Sequence, residues 1–247
     1  MIPLKSESDL EVLRLSGKIL SRVMQKLARS IKPGITTAEI DNLALEFIKT
    51  ENARSAFKGY RGYPAHVCTS INEEIVHGIP DNRVLKDSDI ISLDIGIDYR
   101  GYFTDAAITL AVGKIDPLIK KLIEVTETSL YEGIKLAKPG NHLSDISHAI
   151  QSYVERNGFS VVREFVGHGI GLKLHEEPEI PNFGPPGEGP VLKEGMVLAI
   201  EPMVNLGRWE SEILPNGWTA VTKDNLPSAH FEHTVAITSK GAEILTK

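Results

Sequence analysis

The sequence predicts an α+β fold built from two related halves, in which helices cover one face of a mainly antiparallel sheet. Three observations point there. Lys32-Pro33-Gly34 leads into a helical pattern, and Lys138-Pro139-Gly140 does the same at an offset of 106. Residues 85–94 (LKDSDIISLD) are echoed by residues 192–201 (LKEGMVLAIE) at an offset of 107. Each stretch opens Leu-Lys-acid, runs through apolar residues and closes on a carboxylate. More loosely, Phe103-Thr104-Asp105 leads into Ala106-Ala107-Ile108, as Phe231-Glu232-His233 leads into Thr234-Val235-Ala236. Three matches in the same order argue for a duplicated unit of roughly 100 residues, and two copies are too few for a solenoid. The 247 residues are therefore expected to form a single domain over 1–247, with halves at about 1–113 and 114–247.

The elements follow in order. Residues 8–28 carry Leu10, Leu13, Leu20, Val23 and Leu27 at helical spacing. Thr36-x-x-Glu39 is a capping box, and Ile40, Leu43, Ala44 and Phe47 share the face behind it. In the second half Asp116-Pro117 reads as an N-cap with Pro at the first helical position. Ser144 opens a further helix with Ile146, Ile150, Tyr153 and Val154 on one side, closed by Asn157-Gly158. Between the helical pairs, residues 90–97 read as a buried strand, 98–101 as a turn, and 102–112 as a second strand.

If that hairpin closes with 98 opposite 101, Asp94 faces Asp105, with Cβ atoms ~4.5–5.5 Å apart. Two like charges opposed in an apolar strand pair are unfavourable, so something must compensate. One acid can be protonated, an Arg or Lys can reach in, or a cation can sit between them. Glu201 and Glu232 repeat the arrangement in the second half. Four carboxylates balance two divalent cations, and two such ions ~3.5–4 Å apart form a recurring hydrolytic centre. His168 lies in Gly167-His168-Gly169-Ile170-Gly171, a segment whose glycines let backbone approach a site closely. It is either a structural histidine or the one nitrogen ligand of a mostly oxygen site. Such a site suits Mn, Fe, Co or Zn.

Composition narrows the class. Hydrophobic residues are 41% and charged residues 24%, an ordinary globular balance. The net charge of -6 disfavours nucleic acid as a substrate. No run of roughly 18 apolar residues exists to span a membrane. Residues 1–8 lack the apolar core of a signal peptide. The single cysteine, Cys68, has no disulfide partner in the chain, which points to a reducing, cytoplasmic home.

Together, these residues resemble a known family. Asp94, Asp105, His168, Glu201 and Glu232 match the five-ligand pattern of the dinuclear metallopeptidases with the pita-bread fold. Tyr60-Arg61-Gly62-Tyr63-Pro64, Ser70-Ile71-Asn72-Glu73, His77-Gly78-Ile79-Pro80, Gly167-His168-Gly169-Ile170-Gly171 and His175-Glu176-Glu177-Pro178 resemble the methionine aminopeptidase family from about residue 4 to the C-terminus. Only 30 residues separate Glu201 from Glu232, which leaves no space for the helical insertion of the type II enzymes, so the likeness is to type I.

The resemblance implies that the five ligands hold two divalent ions and that a hydroxide shared between them attacks the carbonyl of an N-terminal methionine. It implies Glu201 as proton carrier, His175 beside the scissile carbonyl oxygen and His77 beside the scissile amide nitrogen. It also implies a methionine pocket of Tyr60, Tyr63, Cys68, His77 and Trp218, with Phe57 beside it. Phe57 stands where some relatives have Cys, and Leu174 where Phe is frequent, so both bear on the pocket's shape. The implied partners are nascent chain N-termini with a small second residue, and the ribosome, for a cytoplasmic monomer. Two other readings keep the fold: an Xaa-Pro aminopeptidase or dipeptidase using the same ligands, and a binding protein without catalysis. The first usually carries an extra N-terminal domain and the second usually loses ligands.

Overall fold

The computed structural model describes residues 2–247; Met1, where the single-domain reading and the segment read as no signal peptide both begin, lies outside the described residues. Among the described residues four α-helices form where local chemistry starts them. α1 (Glu7–Ser30) is capped by Ser6, whose hydroxyl accepts from the Asp9 N–H while the Asp9 carboxylate accepts from the Ser6 N–H. α2 (Thr37–Thr50) has the expected reciprocal pair of Thr36 and Glu39. α3 (Pro117–Ile134) starts at Asp116, which accepts from the Leu118 N–H, with Pro in the first turn. α4 (Leu143–Arg156) opens one residue ahead of Ser144 and ends at Asn157 and Gly158, the latter at φ 88°. Among the described residues no helix is long and apolar enough to cross a membrane.

Among the described residues the main sheet has nine strands, every pair antiparallel. Its path runs Arg54–Ser55, Ile90–Tyr99, Tyr102–Ala111, Glu232–Thr238, Val197–Ile200, Gly167–Gly169, Glu176–Ile180. Cys68–Ile71 adds to Ile90–Tyr99, and Gly241–Ile244 to Glu232–Thr238. The fold is a mixed α+β one, as expected.

The repeated motifs make the same backbone contacts in both halves. Gly34 N–H donates to Leu85 O (2.8 Å), and Gly140 N–H donates to Leu192 O (3.1 Å). Leu85 N–H returns a bond to Ile35 O (2.9 Å), and Leu192 N–H to Asn141 O (2.8 Å). Thr36 bridges Val84, and His142 bridges Val191. Each Lys-Pro-Gly turn thus docks on its own Leu-Lys-acid stretch.

Strand alternation then sorts the faces. Ile91, Leu93, Ile95 and Ile97 pack with α1 and α2 in one buried cluster. Leu198, Ile200, Val235 and Ile237 pack with α3 and α4 in another. The intervening positions look the other way, and these include Asp94, Asp105 and Glu232.

One expectation is corrected. Asp94 does not stand opposite Asp105: it pairs with Ala107, and Asp105 pairs with Gly96. The hairpin closes with Tyr99 opposite Tyr102, so its two-residue turn is Arg100-Gly101, one residue further along the chain than a closure of 98 on 101 would place it. Both turn residues take positive φ (56° and 83°), which matches the right-handed twist of the flanking strands. The shift is by two residues, an even number, so both carboxylates still share one face.

Candidate metal centre

The carboxylate face is built in two rows across the sheet. One row runs Cys68, Asp94, Ala107, Glu232. The other runs from Gly96 to Asp105 on one side and from Thr234 through Ala199 to His168 on the other. The Thr234 hydroxyl joins the two parts: it accepts from Asp105 N–H (2.9 Å) and donates to Asp105 O (2.8 Å). Small side chains thus alternate with the acids and the imidazole, which leaves room above the sheet for the larger groups to converge. Gly167 and Gly169 let the His168 strand fit between its neighbours. A Cβ on Gly167 would lie 2.4 Å from Ala199 O, and one on Gly169 would lie 2.1 Å from Glu177 O.

Asp105, His168 and Glu232 each bring one ligand atom to within 4.8 Å of the others, and all three are buried. Glu201, just after its strand, puts Oε1 3.6 Å from His168 Nε2. The Asp94 carboxyl lies against that of Asp105. All five line one cavity of about 260 Å³. The structure therefore brings the five sequence-predicted residues together, with the tight trio at their centre and Asp94 and Glu201 flanking it.

Their charge is uncompensated by protein. Among the described residues no Lys or Arg pairs with Asp94, Asp105, Glu201 or Glu232, so the alternative of a basic side chain reaching in is set aside. Buried Asp94 Oδ1 and Glu232 Oε1 have no hydrogen-bond partner. Burial raises the pKa of Asp105 to about 7. Asp94 is pushed well up by burial and then by the charges of Asp105 and Glu201. Glu201 and Glu232 are likewise held well above the carboxylate range by burial and by Asp105. His168 goes the other way: burial lowers it to about 4, and its Nδ1 lies 2.9 Å from Gly169 O. That contact places the proton on Nδ1 and leaves the Nε2 lone pair facing the acids. Unpartnered acid oxygens and a bare imidazole nitrogen on one point form a donor set that fits a divalent cation.

The cavity wall carries the remaining predicted residues. Phe57, Tyr60, Tyr63, Cys68, His77, Leu174, His175 and Trp218 all line it. Tyr63 meets Trp218 edge to face (5.2 Å, 76°) and His77 meets Trp218 likewise (6.4 Å, 90°). His77 sits at φ 60°, uncommon for a side-chain residue, and its carbonyl accepts from the Thr219 hydroxyl (3.2 Å). Gly78 beside it is pressed against Thr69, whose carbonyl oxygen would be 2.3 Å from a Cβ there. His175 stands at the open mouth, stacked on Tyr60 (5.2 Å, 11°), with its ring 4.1 Å from that of His168. Desolvation of the ring, then His168 and Arg61, disfavour a proton on His175, so it is neutral.

Sequence reading missed His230. It is 1% exposed, and its Nε2 lies 3.5 Å from Glu201 Oε2. Its position two residues ahead of Glu232 was the available signal.

Comparison with known proteins comes from three directions. Residues 11–239 match metallopeptidase family M24. The chain is 56% identical over 247 residues to "Methionine aminopeptidase 1" of Bacillus subtilis, covering all of both chains. A solved methionine aminopeptidase of Thermotoga maritima is 48% identical and superposes with a TM-score of 0.98 over all of both chains. The prolidase of Pyrococcus horikoshii shares the fold at 22% identity and a TM-score of 0.81, but the match spans only 63% of that chain.

Proposed function

The chain belongs to metallopeptidase family M24, and from that premise we propose its function: it is a metal-dependent methionine aminopeptidase that hydrolyses the bond after an N-terminal methionine. The observation that carries this reading is the convergence of Asp105, His168 and Glu232, flanked by Asp94 and Glu201, inside a cavity walled by Phe57, Tyr63, Cys68 and Trp218.

Asp94, Asp105, His168, Glu201 and Glu232 would hold two divalent cations, of Co, Mn, Fe or Zn. When bound, such ions neutralise the acids, polarise a carbonyl and lower the pKa of water. Glu201 accepts the proton of the attacking water and passes it to the leaving amine. His175, neutral and at the mouth, donates to the negative charge that develops on the scissile carbonyl oxygen. His77, held at its positive φ, faces the scissile amide nitrogen. The methionine side chain lies against Phe57, Tyr60, Tyr63, Cys68 and Trp218, where a thioether meets aromatic edges and a thiol. Phe57, larger than the Cys of some relatives, and Leu174, smaller than the frequent Phe, both line that cavity and shape its wall.

The substrates are nascent chains whose second residue is small. We read the protein as a single-domain monomer of the cytoplasm, working near the ribosome. The test is hydrolysis of Met-Ala-Ser beside Ala-Pro-Ala by metal-stripped protein with Mn, Co, Fe or Zn restored. Release of Met from the first peptide alone, abolished by EDTA, is expected. Cleavage of the Ala-Pro peptide alone would move the assignment to the Xaa-Pro branch.

A further inference from the structure

We propose that His230 is a positioning residue for Glu201, donating an Nε2–H hydrogen bond to Glu201 Oε2 and so fixing the plane of the carboxylate that receives the water's proton. The inference rests on the reading of Glu201 as that proton acceptor.

The backbone carbonyl of Glu201 accepts from Asn182 Nδ2 (3.0 Å), which anchors the residue through its main chain. The side chain has an imidazole at each oxygen: His168 Nε2 at 3.6 Å from Oε1 and His230 Nε2 at 3.5 Å from Oε2. The two imidazoles are not equivalent. His168 carries its proton on Nδ1, against Gly169 O, so its Nε2 offers a lone pair and cannot donate to Glu201. His230 has no partner on either ring nitrogen, although the ring is buried.

A neutral imidazole carries one N–H. Leaving that donor buried and unpaired forfeits the hydrogen bond it makes to water in the unfolded chain, with nothing in return. Glu201 Oε2 is the acceptor facing the ring, and pairing with it places the proton on Nε2. The separation is long for a hydrogen bond, and a small torsional adjustment of the flexible Glu201 side chain shortens it.

The His230 backbone supplies the rigidity that such a role requires. The Thr109 hydroxyl accepts from His230 N–H (2.8 Å) and donates to His230 O (2.9 Å). That hydroxyl also lies 2.8 Å from the Ser92 hydroxyl, in the middle of the hairpin that carries Asp94 and Asp105. On its other side His230 pairs with Met203. The His230 backbone is thus tied to the same strands as the predicted ligands, and the Glu201 backbone carbonyl is held by Asn182.

The experiment compares His230→Ala and His230→Gln with the parent enzyme. Three readouts are kinetics on Met-Ala-Ser, the number of cations bound by calorimetry, and the ¹⁵N signals of the His230 ring. Expected for Ala is a fall in kcat of about 10–100-fold with little change in KM, with the bound cations retained. Gln, whose amide can still donate, should recover most of kcat. The ring spectrum of the parent protein should show Nε2 protonated, and its signal should move on Glu201→Gln. Unchanged kcat in His230→Ala would overturn the proposal. So would loss of a bound cation that Gln does not restore, which would make His230 a ligand. The ¹⁵N measurement needs no turnover: a proton on Nδ1 rejects the hydrogen bond even if the proposed peptidase activity itself fails.

Discussion

The Phe57 ring lies against Gly96, so close that a Cβ on Gly96 would stand 2.7 Å from Phe57 Cε1. Gly96 is also the residue opposite Asp105. One missing side chain therefore admits the pocket wall next to a predicted ligand. Gly96→Ala must push the ring away or bend the hairpin, at a cost of about 1–3 kcal/mol. The expected result is a lower Tm together with a raised KM for methionyl peptides, read by thermal melts and steady-state kinetics.

His175 stacks on Tyr60 at the mouth and contributes none of the five converging side chains. Its removal should therefore separate chemistry from metal binding. For His175→Ala, kcat is expected to fall about 10²–10³-fold, the loss of one donor to a developing oxyanion. Bound cation, measured by elemental analysis, should be unchanged.

The segment that carries His175 is tied down by a buried ion pair. Lys5 Nζ lies 2.6 Å from Glu176 Oε2, and the two side chains are only 3% and 6% exposed. Glu176 Oε1 also accepts from Leu172 and Lys173 N–H, which closes the loop 172–176. Lys5→Met leaves a buried carboxylate without its cation and is expected to cost about 3–5 kcal/mol in denaturant unfolding. Adding Glu176→Met to that variant should restore part of the loss, since the orphaned charge is then gone.

The titrating groups make opposite demands on pH. His168 and His233, lowered by burial to about 4, and His230, lowered to about 3, bind fewer protons folded than unfolded. Their contribution to stability grows as pH rises from those values to the ordinary histidine value of 6.5, and is complete above it. Asp105, raised to about 7, binds more protons folded, so its contribution is lost as pH rises from about 4 through 7. Asp94, Glu201 and Glu232 extend that loss upward, because burial and mutual repulsion hold them well above the carboxylate range. Above 6.5 only the acids still act. The Tm of EDTA-stripped protein should therefore fall as pH rises above 6.5, and saturating Mn or Co should remove the slope.

Much of this was legible in the chain, for physical reasons that differ by element. The Thr36/Glu39 box and Asp116-Pro117 are local signals that a helix start needs whatever surrounds it, and both stand where expected. The Leu-Lys-acid repeats pointed to acids in equivalent strands, and the predicted five converge. The hairpin register was misjudged because Arg100 takes a positive φ that its side chain does not advertise, so a two-residue turn placed one residue earlier looked equally good. His230 was missed for another reason: its only local signal is its place two residues ahead of Glu232, and its meaning lies in a contact with Glu201, 29 residues away in sequence.

Asp105 offers a test in which stability and metal binding move in opposite directions. Its charge contributes to the upward shifts at Asp94, Glu201 and Glu232, so it repels three acids at once. Asn has nearly the same shape, and its Oδ1 can still accept from the Ala106 N–H, as the Asp105 carboxylate does at 3.0 Å. Asp105→Asn in stripped protein should therefore melt higher than the parent above pH 7, because a repulsive buried charge is gone at little steric cost. The same change removes one of the three groups that converge within 4.8 Å, so added Mn or Co should no longer raise the Tm, and methionine release should be lost. A cluster held together by internal hydrogen bonds would instead lose stability on the same substitution, with or without added cation. A lower Tm for the stripped variant, or an undiminished Tm rise with Mn, would mean that Asp105 serves the fold and not a cation.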